Sequence, residues 1–200
     1  MGKIFYLMGK SSSGKDTLYK KLNEENRYGL KSIVSYTTRP IRGGEQDGRE
    51  YHFVSVDAFE RMKDTGKVSE YRSYNTVHGI WYYFLADDGQ IDLENESYLL
   101  IGTLEGYESL VSYFGKDRIV PIYLEVDDGI RLQRALDRER SQPSPKYAEL
   151  CRRYLADQED FSEEKLEKNG IGIRFNNENI EVTCNSILDY IGGYGYGHQN

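Results

Sequence analysis

The chain has 200 residues, 38% hydrophobic and 30% charged, which is enough for one domain with a buried core and inserted lobes. A formal net charge of −7 argues against broad nucleic-acid binding, which needs a basic face to release counterions. No apolar run approaches the roughly 18 residues of a membrane span, and residues 1–8 do not read as a signal peptide. Cys151 and Cys184 have no metal-ligand spacing around them. They read as two reduced thiols, so a cytoplasmic setting is expected.

In chain order, residues 3–8 form a short apolar run bounded by Gly9, the pattern of a buried parallel strand. Helical spacing follows over 17–26, with Leu18 and Leu22 on one face. Residues 32–36 read as a second strand, and 40–48, with Gly43, Gly44 and Gly48, as a loop. Residues 51–56 alternate as a strand does, and Asp57 is the expected N-cap of a helix reaching Lys63. The aromatic stretch 68–85 predicts short strands of a small inserted lobe. Apolar runs at 98–101 and 119–124 flank a helical pattern over 104–114, which indicates βαβ units and a parallel sheet. Helices are expected over 128–140 and 145–168, a last strand over 171–175 and a last helix over 180–191. Residues 192–200 are Gly-rich without a core-forming pattern and predict a disordered tail.

Gly9-Lys10-Ser11-Ser12-Ser13-Gly14-Lys15 matches the phosphate-loop pattern G-x-x-x-x-G-K, between the expected strand and helix. Glycines let the backbone wrap a phosphate, successive N–H groups form an anion nest, and the helix start adds its positive dipole end. Lys15 is the residue that reaches the outer phosphates. Asp16 stands where Ser or Thr usually ligates Mg²⁺, and Thr17 follows, so these two are the metal-side candidates.

A second basic segment runs Ser35-Tyr-Thr-Thr-Arg39-Pro-Ile-Arg42-Gly-Gly-Glu45 and continues through Gly48 to Tyr51-His-Phe-Val54. Fork-shaped guanidiniums and a tyrosine hydroxyl suit a phosphate monoester. This segment resembles the GMP-phosphate signature of guanylate kinases, and with the phosphate loop the similarity extends, with gaps, over 3–191.

The resemblance implies an α/β fold, a P-loop NTPase-type parallel sheet flanked by helices. It implies a single domain over 1–191, with core segments 1–34, 96–130 and 155–191, an NMP-binding lobe over 35–95 and a helical lid over 131–154. It also implies ATP and GMP as the nucleotides, with Mg²⁺ arriving on ATP. Position by position, Arg39, Arg42, Tyr51 and Tyr82 are expected on the acceptor phosphate, with Ser35, Glu70 and the Thr103 position at the guanine edge. Arg134, Arg138 and Arg153 match arginines that close on the transferring phosphoryl group, and Asn176, which the sequence does not separate from its neighbour Asn177, matches an asparagine near the adenosine. Arg131 and Arg140, amid Asp127, Asp128, Asp137 and Glu139, read as structural.

Departures bear on the base. Tyr83 and Phe84 stand where the family has Gly and a base-reading hydroxyl residue, and Ile101 and Thr103 where it has aspartates. The stretch from Glu70 to Gly79 is also longer than in the family. One hypothesis links two of these changes: Asp16 supplies, on the Mg²⁺ side, a carboxylate lost at Ile101 and Thr103. The expected activity is phosphorylation of GMP by ATP. Its rivals are a kinase for another nucleoside monophosphate and a catalytically silent binding module of the same fold.

Overall fold

A computed structural model describes residues 1–76 and 79–195. The chain begins with β1 (Ile4–Gly9) and α1 (Lys15–Glu25), then β2 (Tyr36–Thr37), β3 (His52–Phe53) and α2 (Val56–Asp64). Two long strands follow, β4 (Val68–Thr76) and β5 (Gly79–Ala86), and then β6 (Tyr98–Gly102), α3 (Leu104–Phe114) and β7 (Ile119–Glu125). The last part comprises α4 (Asp128–Arg140), α5 (Tyr147–Asp160), α6 (Glu163–Lys168), β8 (Arg174–Asn176) and α7 (Ile180–Gly192).

The strands form two sheets. One is parallel, in the order β6-β1-β7-β8; the other runs β3-β2-β5-β4. β1 is buried along its whole length, which explains an apolar run without alternation. Its Ile4, Tyr6 and Met8 pack with Tyr107 and Leu110 of α3. On the other face, Phe5 and Leu7 pack with Leu18 and Leu22 of α1 and Ile187 and Leu188 of α7. Each such leucine contributes roughly 2 kcal/mol when fully buried, so helices are required on both sides of the sheet.

In the second sheet, β4 and β5 pair antiparallel from Val68↔Ala86 to Thr76↔Gly79, with a register shift between Val68 and Glu70. The aromatic stretch is therefore two long strands rather than several short ones. Residues 77 and 78 lie outside the described residues. Directly opposed residues share a face, so Glu70, Arg72 and Tyr74 lie with Leu85, Tyr83 and Trp81. Tyr71 and Ser73 lie with Phe84 and Tyr82. The latter face packs against Phe59 of α2, with ring centroids at 4.2 Å from Tyr82 and 4.9 Å from Phe84.

Several expected elements differ. Of 32–36 only Tyr36 joins a strand, because the segment crosses between sheets: Lys31 makes one bridge to Tyr98, and the Val34 amide donates to Gln90. The N-cap of α2 is Ser55, whose Oγ accepts from Ala58 at 3.2 Å, and Asp57 lies inside the first turn. The expected helix over 145–168 breaks after Asp160, where Phe161 turns inward and stacks on Tyr123 at 5.6 Å. The last strand starts at Arg174 rather than 171. Gly192 closes α7, and Tyr194 packs edge-on against Phe5 at 5.8 Å, so the expected disordered tail does not begin at 192. Residues 196–200 lie outside the described residues.

Candidate functional site

Strand β1 delivers Gly9 to the top of the parallel sheet, and the chain turns through residues 10–14 into α1. Gly14 is the N-cap of that helix with φ +86°, and a Cβ there would sit 2.6 Å from Asn177 Nδ2. Only glycine satisfies both conditions. Ser12 also has positive φ, +63°, a conformation that costs a non-glycine residue about 1 kcal/mol. Lys15 opens the helix and has no ion-pair partner among the described residues. Ser12 Oγ, Ser13 Oγ and Asn177 Oδ1 are buried without a hydrogen-bond partner among the described residues, a costly arrangement unless a polar ligand satisfies them.

Asn177, rather than Asn176, attends the loop. It is buried at the end of β8; its Nδ2 donates to the Ser13 carbonyl at 2.7 Å and its amide to Glu125. The Asn176 side chain is exposed and bonds Glu178. This corrects the expectation for Asn176, and the reason is the strand itself, in which neighbouring side chains point to opposite sides.

Helices α4 and α5 brace the loop from the other side. Arg131 is almost wholly buried, donating to the Ser11 carbonyl at 2.9 Å and to Asp128 at 2.9 Å, with Tyr154 beneath its guanidinium. Asp157 accepts from the Ser11 amide at 2.8 Å and also contacts Arg131. Lys10 joins this network through Gln158 and Asp128. Arg140 is exposed and, among the described residues, contacts only Asp137, at 3.8 Å.

A cleft between α4 and α5 opens onto Ser11 and Ser12 and is lined by Arg138 and Arg153. Arg138 is exposed and has no side-chain partner among the described residues. Arg153 shares Glu149 with Arg152, and these two guanidiniums hold the Glu149 carboxyl down at about 2. Arg134 points instead to the Asn177 carbonyl, 3.4 Å away.

The second sheet carries another anion-ready cluster. Arg39 is buried, bound by both carboxylate oxygens of Glu45 and flanked by the rings of Tyr51 and Phe53, each 5.3 Å from its guanidinium. Its Nε is buried with no partner among the described residues. The Glu45 carboxyl is held down at about 2, first by Arg39 and then by the Arg42 amide. The Arg42 side chain is exposed at the rim.

Tyr83 stands beside Arg39, and its ring meets Tyr51 edge-on at 5.6 Å. Tyr82, the tyrosine expected there, stacks on Phe59 on the opposite face. This second correction also follows from strand register: Tyr83 opposes Thr37 and Arg72, on the Arg39 side. The period-two alternation of Trp81, Tyr83 and Leu85 was the available signal.

At the far end of this row, Glu70 reaches the parallel sheet. Its Oε2 lies 3.3 Å, and Tyr6 Oη 2.4 Å, from where a Cβ on Gly106 would sit. Glycine is thus required in the first turn of α3. Burial pushes the Glu70 carboxyl up, Glu105 adds to this, and Arg72 opposes it. Burial likewise raises Tyr6. Thr103 is the N-cap of α3, its Oγ1 accepting from Gly106 at 3.2 Å, so its hydroxyl oxygen serves the helix. Ser35 is half-buried, its carbonyl accepting from His52.

Mg²⁺ retains several waters and takes one or two protein oxygens. Asp16 and Thr17, both exposed in the first turn of α1, fit that donor set.

A helix-flanked parallel sheet whose central strand ends in a G-x-x-x-x-G-K loop is the fold of P-loop NTPases. Residues 1–79 match the family model for guanylate kinase. A guanylate kinase of Cupriavidus metallidurans is 41% identical over 81 residues, 40% of this chain and 36% of that protein. A guanylate kinase of Brucella melitensis is 30% identical over 138 residues, 68% of this chain and 61% of the other. The chain thus covers less than two thirds of the length of these relatives. A guanylate kinase structure from Anaplasma phagocytophilum shares the fold with a TM-score of 0.65 at 22% identity, covering 96% of this chain and 86% of that one. By sequence the chain is similar to guanylate kinases, most closely over its first 79 residues. Tyr83 and Asn177 both lie beyond the residues matched by the family model.

Proposed function

We propose that this protein transfers the γ-phosphoryl group of ATP to the phosphate of a nucleoside monophosphate, with GMP as the acceptor. One observation carries the reading. A continuous row of side chains, Arg39, Tyr83, Arg72 and Glu70, runs from an anion cluster to the parallel sheet, where Glu70 and Tyr6, on the strand that ends in the phosphate loop, both lie against Gly106. An acceptor lying along that row has its phosphate at Arg39 and its base at Glu70. A carboxylate there accepts from guanine N1–H and the 2-amino group.

In this mechanism an acceptor phosphate oxygen attacks the γ-phosphorus and the bond to the β,γ-bridging oxygen breaks. No protein nucleophile is needed; positioning and charge stabilisation do the chemistry. Lys15 and the loop amides hold the β- and γ-phosphates, and Arg138 and Arg153, from a lid over 131–154, approach the transferring group. Arg39, Arg42, Tyr51 and Tyr83 hold the acceptor within a lobe over 35–95. Arg131 is a positioning residue, fixing the loop through Ser11. Asp16 and Thr17 would hold the Mg²⁺ that arrives with ATP, and the ion would supply charge neutralisation there. Closure of the lid excludes water that otherwise hydrolyses ATP.

Among the described residues no helix is long and apolar enough to cross a membrane. A cytoplasmic setting, with free Cys151 and Cys184, goes with this reading. The test is diphosphate formation from MgATP with GMP, dGMP, AMP, UMP, CMP and dTMP. GDP as the main product is expected. Turnover of another acceptor overturns the base assignment, and folded protein that binds GMP without turnover overturns the catalysis.

A further inference from the structure

Arg72 is half-buried between the two halves of the acceptor row, and neither the phosphate loop nor the anion cluster uses it. It lies two residues past Glu70 on the same face of β4, directly opposite Tyr83. Its terminal nitrogen is 3.5 Å from Glu70 Oε1, a contact at the outer limit of a hydrogen bond. Its Nε is buried without a partner among the described residues. A guanidinium carries five N–H donors and no acceptor, so the one long contact leaves most of its capacity unspent.

The neighbouring polar groups are already committed. Thr103 Oγ1 caps α3, and the Thr103 amide reaches the phenolic oxygen of Tyr6. Phe84 faces α2. Glu70 and Arg72 therefore present, side by side, an acceptor pair and a donor fork. Guanine has the complementary edge: N1–H and the 2-amino group donate, while O6 and N7 accept in the geometry an arginine fork matches. Adenine has an acceptor at N1 and a donor at N6, the reverse of what the pair requires.

We propose that Arg72 is a specificity-determining residue that donates to O6 and N7 of the acceptor purine while Glu70 takes the N1–H and amino protons. This rests on the acceptor reading above, and it names the group that replaces the hydroxyl and carboxylate readers absent at Phe84 and Thr103. Two other roles for Arg72 make different predictions. A third phosphate contact acts on every nucleotide alike, and a purely structural partner of Glu70 acts through folding.

The experiment is calorimetric titration of wild type, Arg72→Met and Arg72→Lys with GMP, IMP, the 2-aminopurine ribonucleoside monophosphate and UMP. Thermal melts accompany each variant. Losing a bidentate base contact costs about 1–3 kcal/mol, so Arg72→Met should weaken GMP and IMP, which both carry O6, by roughly 10- to 100-fold. UMP should change less than about twofold, and the 2-aminopurine nucleotide, which keeps N7 but lacks O6, should weaken less than GMP and IMP do. Arg72→Lys keeps the charge but loses the fork, so the preference for O6-bearing purines should fall in it too; it carries the same test if Arg72→Met does not fold. Equal weakening of all four ligands overturns the proposal in favour of a phosphate contact. Retained preference for GMP in both variants overturns it in favour of a structural role. A wild type that binds none of the nucleotides removes the acceptor reading itself, and this inference with it.

Discussion

The side-chain amide of Asn177, at the end of β8, donates to the carbonyl of Ser13 inside the phosphate loop, 2.7 Å away and shielded from solvent. Residues 164 positions apart in sequence are thereby joined, and the edge strand of the parallel sheet becomes part of the wall of the phosphate loop. Asn177→Ala removes a buried bond and exposes the loop carbonyl, at a cost of about 2 kcal/mol in stability. It should also weaken ATP binding, whereas Asn176→Ala should leave both near wild type. Thermal melts and ATP titrations of the two variants separate them.

Tyr83 and Tyr82 should respond in opposite ways. Tyr83→Phe removes a hydroxyl beside Arg39 and should raise the acceptor KM about tenfold with little change in melting temperature. Tyr82→Ala removes a ring stacked on Phe59 and should cost about 3 kcal/mol of stability, while Tyr82→Phe should be close to neutral in both assays. A KM effect confined to Tyr82 would return the phosphate contact to that residue.

Glu45 gives the acid limb of stability a definite sign. Its carboxyl falls from an ordinary 4.5 to about 2 in the folded protein because Arg39 binds it. The folded state therefore holds the ionised form more tightly than the unfolded chain does. That contribution is fully present above the unfolded value and is lost as pH falls from 4.5 to about 2. In denaturant titrations across that range, wild type should lose more stability than Glu45→Gln, and the two curves should run parallel above it.

Lys15→Met should leave the fold intact, since the ammonium has no ion pair among the described residues, and should slow phosphoryl transfer by on the order of a hundredfold or more. Single-turnover assays with saturating ATP and GMP measure the loss directly. Normal turnover in the variant is incompatible with the proposed mechanism.

Ser12 holds a left-handed backbone in the loop at φ +63°. Ser12→Gly should relieve about 1 kcal/mol of strain, partly offset by the greater freedom of glycine in the unfolded chain. A small rise in melting temperature and a fall in ATP affinity are expected, since the buried Ser12 hydroxyl has no partner among the described residues and is left for a ligand; unchanged affinity would show that the hydroxyl does not meet the ligand.

The sequence by itself determined the parallel core, the phosphate loop between β1 and α1 and the Arg39–Arg42 segment, because each is written in consecutive residues. A fully apolar strand, glycines at loop corners and closely spaced arginines impose their local chemistry wherever the chain goes. Tertiary structure decided which of two adjacent tyrosines and which of two adjacent asparagines face the site. That choice depends on strand register, and a one-residue difference reverses the face of a side chain. The partners at Glu45, Asp157 and Tyr6 likewise became visible only when separate elements were brought together. So did the position of Arg72 beside Glu70 and opposite Tyr83, within electrostatic reach of Tyr6 on the other sheet, and no local pattern in the chain records that they meet.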